Sequence, residues 1–346
     1  MAVQLSGGTV IIEGIEGIEG IEGRDEKLSL EEAAFLLEKG KIKIKGLSIG
    51  DFFSRAIATF PAFVVRYIVY RDLKERGYAV RAGRTDFWLY PRGVRQGEKP
   101  ARYVVHILRE KDLIAIADLD RLLSSARNMR KELILAIVDE ESDVTYYEIR
   151  APKLEGTLKE EREEGEGEAE LTCTTASLAD DRVLIYDESS AERLYRDFYG
   201  KLSGEGKGNK RLILSLIETA YLMRENNRMV VHVHTPSGDM NYEQFLDYAI
   251  EKEHDFKDKL LVYTDLRAKG LLLKTGFKFG SHFRVYTALQ QKHSSYLVHV
   301  VHPEYIFAMN ELARAVRLAQ GVKKRMIFAC VHEDGVKYID IGRRRL

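Results

Sequence analysis

Apolar and polar residues alternate through His282-Phe283-Arg284-Val285-Tyr286 and, after a short polar stretch, through SYLVHV (295–300). A period of two marks a half-buried strand, so Phe283 and Val285 share one face, Arg284 and Tyr286 the other. Upstream, VYTDLRAKG (262–270) reads as the end of a helix, stopped by Gly270. The pattern predicts a helix, a glycine-punctuated segment and two strands. A tyrosine ends the first strand, and His293 lies in the loop before the second.

The same pattern occurs earlier in the chain. VYRDLKERG (69–77) matches VYTDLRAKG, DFWLY (86–90) matches HFRVY, and ARYVVHIL (101–108) matches SSYLVHVV. Further on, SARNMRKELILAIVDEES (125–142) matches LAQGVKKRMIFACVHEDG (318–335). Upstream of both, LSLEEAAFLL (28–37) matches LSLIETAYLM (214–223). A duplication of this length sets the architecture before any single element does.

The remaining elements follow from the same reading. TVIIEG (9–14) predicts a strand, and the Gly-Ile-Glu tract at 14–23 a flexible loop. Ser29 with Glu32 three residues on predicts a capped helix, KIKIK a short strand, and residues 50–76 a helix broken at Pro61. The second copy predicts a strand at RVLIYDE, a helix at SSAERLYRDFYG without a clear match in the first copy, and a helix over 211–225. A strand at MVVHVHT, one helix from about Asn241 to Lys269, a helix over about 306–321 and strands KRMIFACV and VKYIDI complete it.

The fold class expected is α/β (α+β), a tandem duplication in which each repeat is a small α/β N-terminal module followed by a β-rich, nuclease-like α/β module. The boundaries expected are 1–60 and 61–150 for the first repeat, 151–178 for a linker, and 179–258 and 259–346 for the second. Between 151 and 170 there are eight acidic and three basic side chains, as expected of a solvated connector.

Composition narrows the class. The 346 residues are enough for two or more domains, and no apolar run approaches a membrane span or a signal peptide. Two cysteines, Cys173 and Cys330, make neither a disulfide framework nor a metal knuckle, so the expected compartment is the cytoplasm. Formal net charge is zero, yet residues 311–346 hold nine basic and four acidic side chains, a candidate surface for phosphate.

Comparing the copies isolates candidate chemistry. Tyr286 aligns with Tyr90 and Lys324 with Lys131, but His293 aligns with Pro100 and Arg317 with Ser124. Tyrosine, histidine and lysine together suit phosphoryl transfer from an RNA 2′-hydroxyl: one group takes the 2′ proton, another protonates the leaving 5′ oxygen, a cation steadies the phosphorane. A phenol near pH 10 needs cations beside it to act as base, which Lys324 and Arg284 could supply; histidine, near 6.5, suits the acid. Singly, each has a plainer reading: a packing tyrosine, a solvated loop histidine, a lysine in a solvated KKR run. His232 and His234 share a strand face without a third ligand nearby, and Lys274-Thr275-Gly276 lacks the P-loop pattern. Phe277, Phe279 and Phe283 read as core rather than as stacking platforms.

Three separated segments, KTGFKFGSHFRVY, HSSYLVHV and VRLAQGVKKRMIFACV, resemble in order and spacing the catalytic domain of archaeal tRNA-splicing endonucleases. The resemblance covers about 179–346 and, more loosely, the first repeat. It implies catalytic roles for Tyr286, His293 and Lys324, with no cofactor and no metal required. It also implies precursor tRNA as partner, cut at bulge–helix–bulge junctions to leave 2′,3′-cyclic phosphate and 5′-hydroxyl ends. Arg317 matches the position that stacks on a bulged base, Arg343 is a candidate second arginine, and Arg314 lies one helical turn from Arg317. The homodimeric form is implied, with a structural first copy whose acidic turn, Asp139, Glu140, Glu141 and Asp143, docks beside the partner's site. Competing readings are a non-catalytic RNA-binding subunit and a metal-dependent nuclease, for which residues 261–346 show no carboxylate cluster.

Overall fold

The computed structural model describes residues 4–6, 9–11, 15–16, 27–44, 47–83, 85–157, 172–204, 210–224 and 229–346. Most of the Gly-Ile-Glu tract and residues 158–171 of the expected linker lie outside the described residues. The chain forms two compact units, Met1–Arg150 with Ile306–Val316 and Ile341–Leu346, and Ala151–Tyr305 with Arg317–Asp340. No helix among the described residues is long and apolar enough to cross a membrane.

In the first unit, helix Leu30–Glu38 starts where Ser29 Oγ accepts the Glu32 amide at 3.1 Å, the expected cap. Helices Ile49–Thr59 and Phe63–Glu75 are separated at Pro61, which has no N–H to continue the ladder. Phe63 and Tyr67 pack into one core with Ala33, Ala34, Phe52 and Ala56, while Val69, Tyr70 and Leu73 of the same helix pack into a second with Phe87, Leu89, Val105 and Ile134. One helix thus serves both modules. Buried Arg66 adds a tie, donating to Glu31 at 2.5 Å and to the carbonyls of Gly83 and Thr85 at 2.7 and 2.8 Å.

The sheet of this unit runs Val144–Arg150, Glu132–Val138, Tyr103–Arg109, Phe87–Leu89, Val80–Ala82. Its central pair, Glu132–Val138 with Tyr103–Arg109, is parallel, and the other pairs are antiparallel. Arg344 donates to Glu132 at 2.9 Å and to the Tyr103 hydroxyl at 2.9 Å. Helix 306–321 begins three residues later than its pattern suggests: Ile306–Ala308 is a strand paired with Leu113–Ala115, and the helix is Met309–Gly321.

The second unit repeats that sheet with Arg325–His332, Tyr296–Val301, Phe283–Tyr286 and Leu272–Thr275. The register repeats too. Tyr103 stands opposite Glu132 and Tyr296 opposite Arg325; Phe87 opposite Val105 and Phe283 opposite Val298. Even the lock between helix and hairpin recurs: Tyr146 donates to Asp72 and Tyr338 to Asp265, each at 2.6 Å.

Several elements differ from the sequence reading. Leu272–Thr275 is a strand where a loose glycine-punctuated segment was expected, paired residue for residue with Phe283–Tyr286. The helix expected over 241–269 is two, Tyr242–Lys252 and Phe256–Ala268, because Glu253 turns extended and swings Phe256 into the core. The helix expected over 211–225 is a strand, Arg211–Ser215, then a helix, Leu216–Leu222; Leu212 and Leu214 are buried in alternation, and Ser215 with Glu218 closes a capping box. The expected linker, 151–178, ends in a strand instead: Thr172–Ala179 belongs to a six-stranded sheet, parallel to Met229–Thr235. Its threonine- and serine-rich sequence carries little apolar signal.

Candidate active site

The candidate residues of the second copy gather at one end of the sheet by strand register. Leu272 stands opposite Tyr286, Lys274 opposite Arg284 and Arg284 opposite Leu297, while Leu297 pairs in turn with Met326. Residues opposed in a ladder share a face, and residues two apart along a strand do too, so Tyr286, Arg284, Lys274 and Lys324 lie on one side. Phe283 and Val285, on the other side, enter the main core with Val262 and Leu266 of helix Phe256–Ala268.

Tyr286 is buried, and its ring meets Phe198 edge to face at 4.8 Å between centroids. The loop after it is organised by Gln291. Its side-chain oxygen accepts the Thr287 amide at 2.8 Å and its amide nitrogen donates to Ser295 Oγ at 2.8 Å. The Ser295 amide then returns to the Val285 carbonyl at 2.9 Å, closing the loop across the end of the strand. This fixes the span in which His293 sits. The histidine is exposed and makes no side-chain bond to a described residue. Nothing in composition or spacing singles out Gln291.

Lys324 follows helix Met309–Gly321 and donates Nζ to the Ser294 carbonyl at 2.9 Å, one residue from His293. Partial burial, with Arg284 nearby, lowers its pKa below the ordinary lysine value. Arg284 donates to the Thr275 carbonyl at 2.8 Å, and both Arg284 and Lys324 lie over the Phe279 ring, at 5.8 and 6.0 Å. Phe279 belongs to a turn, Phe277–Phe279, closed by Gly280 at φ 64°. Gly276 before it admits no side chain, since a Cβ would lie 2.3 Å from Ser281 Oγ. Of the three phenylalanines expected in the core, only Phe283 is buried. Phe277 is 87% exposed, because the turn carries it past the edge of the sheet.

Arg314 and Arg317 are exposed on helix Met309–Gly321, three residues apart and without side-chain partners among the described residues. Arg343 is likewise exposed, whereas its neighbour Arg344 is committed to Glu132 and Tyr103. Among the described residues no three His, Cys, Asp or Glu side chains gather where they could hold a metal ion. His234 bonds Asp239 at 2.7 Å, and His282 stacks on His299 at 4.3 Å.

The first copy supplies the control. Tyr90 is buried as Tyr286 is, and Lys131 donates Nζ to the Ala101 carbonyl at 2.8 Å, the equivalent of the Lys324 contact. Pro100 stands where the second copy has His293. In the acidic turn, Asp139 Oδ1 accepts the amides of Glu141 and Asp143 at 3.0 and 2.8 Å, while Glu140, Glu141 and Asp143 are exposed.

Fold and site together define a duplicated α/β protein in which one copy alone holds the complete tyrosine, histidine and lysine set. Family models agree with the duplication. The catalytic C-terminal domain of tRNA intron endonuclease matches residues 63–146 and 256–338, and its N-terminal domain residues 1–53 and 174–245. The chain belongs to the tRNA intron endonuclease family. It is 40% identical over 330 residues to the tRNA-splicing endonuclease of Methanococcoides burtonii, covering 92% of this chain and 90% of the relative. The enzymes of Methanosarcina barkeri, 39% identical over 330 residues (92% of this chain, 90% of the relative), and Haloferax volcanii, 32% over 338 residues (92% and 89%), are similar over the same extent.

Proposed function

We propose that the chain is a tRNA-splicing endonuclease that cuts precursor tRNA at bulge–helix–bulge junctions by attack of the 2′-hydroxyl on the adjoining phosphate. Tyr286, as phenolate, takes the 2′ proton while the O2′–P bond forms. His293, as imidazolium, gives its proton to the departing 5′ oxygen as the P–O5′ bond breaks. The Lys324 ammonium, with Arg284 behind it, bears on the negative charge of the five-coordinate phosphorus. The products are a 2′,3′-cyclic phosphate and a 5′-hydroxyl, and no step requires a metal ion.

The observation that carries this reading is the Lys324 contact to Ser294. It fixes the ammonium beside the loop that bears His293, on the sheet face that bears Tyr286. Arg317 and Arg314, exposed on one helix and unpaired among the described residues, supply guanidinium groups for bulged bases and phosphates, and Arg343 is a further candidate. Two copies of the chain would bring two such sites to the two junctions of an intron. The outward-facing Glu140, Glu141 and Asp143 are the candidate contact, each docking beside the partner's site. Incubating the protein with an intron-containing precursor and comparing wild type with Tyr286→Phe, His293→Ala and Lys324→Met tests the assignment. Full cleavage by any of the three removes that residue from the mechanism.

A further inference from the structure

The helix Glu188–Arg196 and the turn after it have no counterpart among the described residues of the first copy, and they end against Tyr286. Phe198 takes φ 70°, a left-handed conformation that a bulky side chain rarely adopts. Its ring stands edge to face with Tyr286, at 67° and 4.8 Å between centroids. Tyr286 and Leu272 form a small cluster with Phe198 and Leu289, apart from the main core. The phenol that would take the 2′ proton therefore owes its surroundings to this turn rather than to the sheet's principal packing.

The turn is held from both sides. The Gly200 amide donates to Glu218 Oε1 at 2.8 Å, and the same carboxylate caps helix Leu216–Leu222 at Ser215. The Gly200 carbonyl accepts from Lys274 Nζ, which lies over the rings of Phe198 and Tyr195 at 5.0 and 5.9 Å. Gly200 itself, at φ 54°, has no room for a side chain, since a Cβ would lie 2.6 Å from the Ile213 carbonyl. Burial lowers the pKa of Lys274 to about 8. In the first copy the aligned residue is Arg81, which is exposed, and no ring among the described residues stands against Tyr90.

We propose that Phe198 is a positioning residue for Tyr286, clamped by Lys274 and Glu218 through Gly200, and that this second-copy turn fixes the phenol in its reactive orientation. The inference rests on the proposed role of Tyr286. An aromatic edge against a ring face restricts ring rotation, and a misplaced catalytic oxygen by about 1 Å costs on the order of a hundredfold in rate. Phe198 touches no substrate in this account; it acts through Tyr286.

The test compares single-turnover cleavage and RNA binding for wild type, Tyr286→Phe, Phe198→Leu, Phe198→Gly and Phe198→Tyr. Phe198→Gly relieves the left-handed backbone while removing the ring, which keeps a folded variant in the series. The account expects Phe198→Leu and Phe198→Gly to cut roughly 30- to 100-fold more slowly with binding within about threefold of wild type. Phe198→Tyr, which keeps the ring, should cut near the wild-type rate. Wild-type rates for Phe198→Leu and Phe198→Gly, beside an inactive Tyr286→Phe, would overturn the positioning role alone. A loss of binding as large as the loss of rate would overturn it as well. A fully active Tyr286→Phe would instead remove the reading on which it rests.

Discussion

Lys324 donates its ammonium to the carbonyl of Ser294 at 2.9 Å, and Lys131 makes the same bond to Ala101 at 2.8 Å in the first copy. The lysine position is thus a product of the shared fold, fixed by the parallel strand pair that both copies build. What separates the copies is the residue one step earlier, His293 against Pro100. Substituting the two lysines should therefore have unequal effects. Lys324→Met should lower the single-turnover rate by about 10²–10³, the usual loss for one charge-stabilising donor. Lys131→Met should stay within a few-fold, with circular dichroism unchanged in both.

His293→Ala should lower the rate by about 10²–10⁴, as for loss of a general acid. The first copy should not compensate, because Pro100 offers no proton. Residual cleavage that disappears on adding Tyr90→Phe would show that the first copy cuts.

In a His293→Ala background, where the general acid no longer titrates, the alkaline limb of the pH–rate profile should report Lys324. Partial burial, then the charge of Arg284, holds its pKa below the ordinary lysine value. The charged form is the active one, so the rate should fall with rising pH earlier than a free lysine would titrate. Lys324→Arg keeps its charge and should abolish that limb, whatever its absolute rate. An identical limb with lysine or arginine at 324 in that background would assign it to another group.

Reversing Glu140 and Glu141 to lysine should leave the monomer folded, since the Lys111 pairing of Glu140 is exposed and contributes little. It should weaken self-association and cleavage together, read by sedimentation and by rate. An unchanged mass and rate would remove the turn from the interface.

Stability should fall toward acid through His282. Burial, then His299 and Lys259, lowers its pKa to about 4, while an unfolded histidine titrates near 6.5. Between those values the unfolded chain binds the extra proton, so stability is complete above about pH 6.5 and is lost as pH falls toward 4. The full contribution is about 3 kcal/mol from the 1.36 kcal/mol per unit relation. The neutral ring also accepts the Val300 amide at 2.8 Å, and His282→Asn should flatten this limb in denaturant titrations across pH.

The duplication was legible in the sequence because the repeated segments also share strand register, down to Tyr103 opposite Glu132 and Tyr296 opposite Arg325. The alternation around Tyr286 was legible because Phe283 and Val285 enter the main core while Arg284 and Tyr286 take the opposite face. Long-range contacts were hidden. Nothing local marks Phe198 as the neighbour of Tyr286, 88 residues on, nor Gln291 as the organiser of its loop. Helix periodicity over 241–269 hid a break at Glu253, since two helices in succession keep the same apolar spacing. Phe277 reads as core by its apolar ring alone, yet a glycine-bounded turn carries it outward.

End-group analysis of the fragments from an intron-containing precursor tRNA, cut in the presence of a chelator, tests the central claim most directly. The account predicts full cleavage, with 2′,3′-cyclic phosphate on the upstream fragments and 5′-hydroxyl on the downstream ones. Cleavage that stops in chelator, or fragments carrying 5′-phosphate, would contradict it.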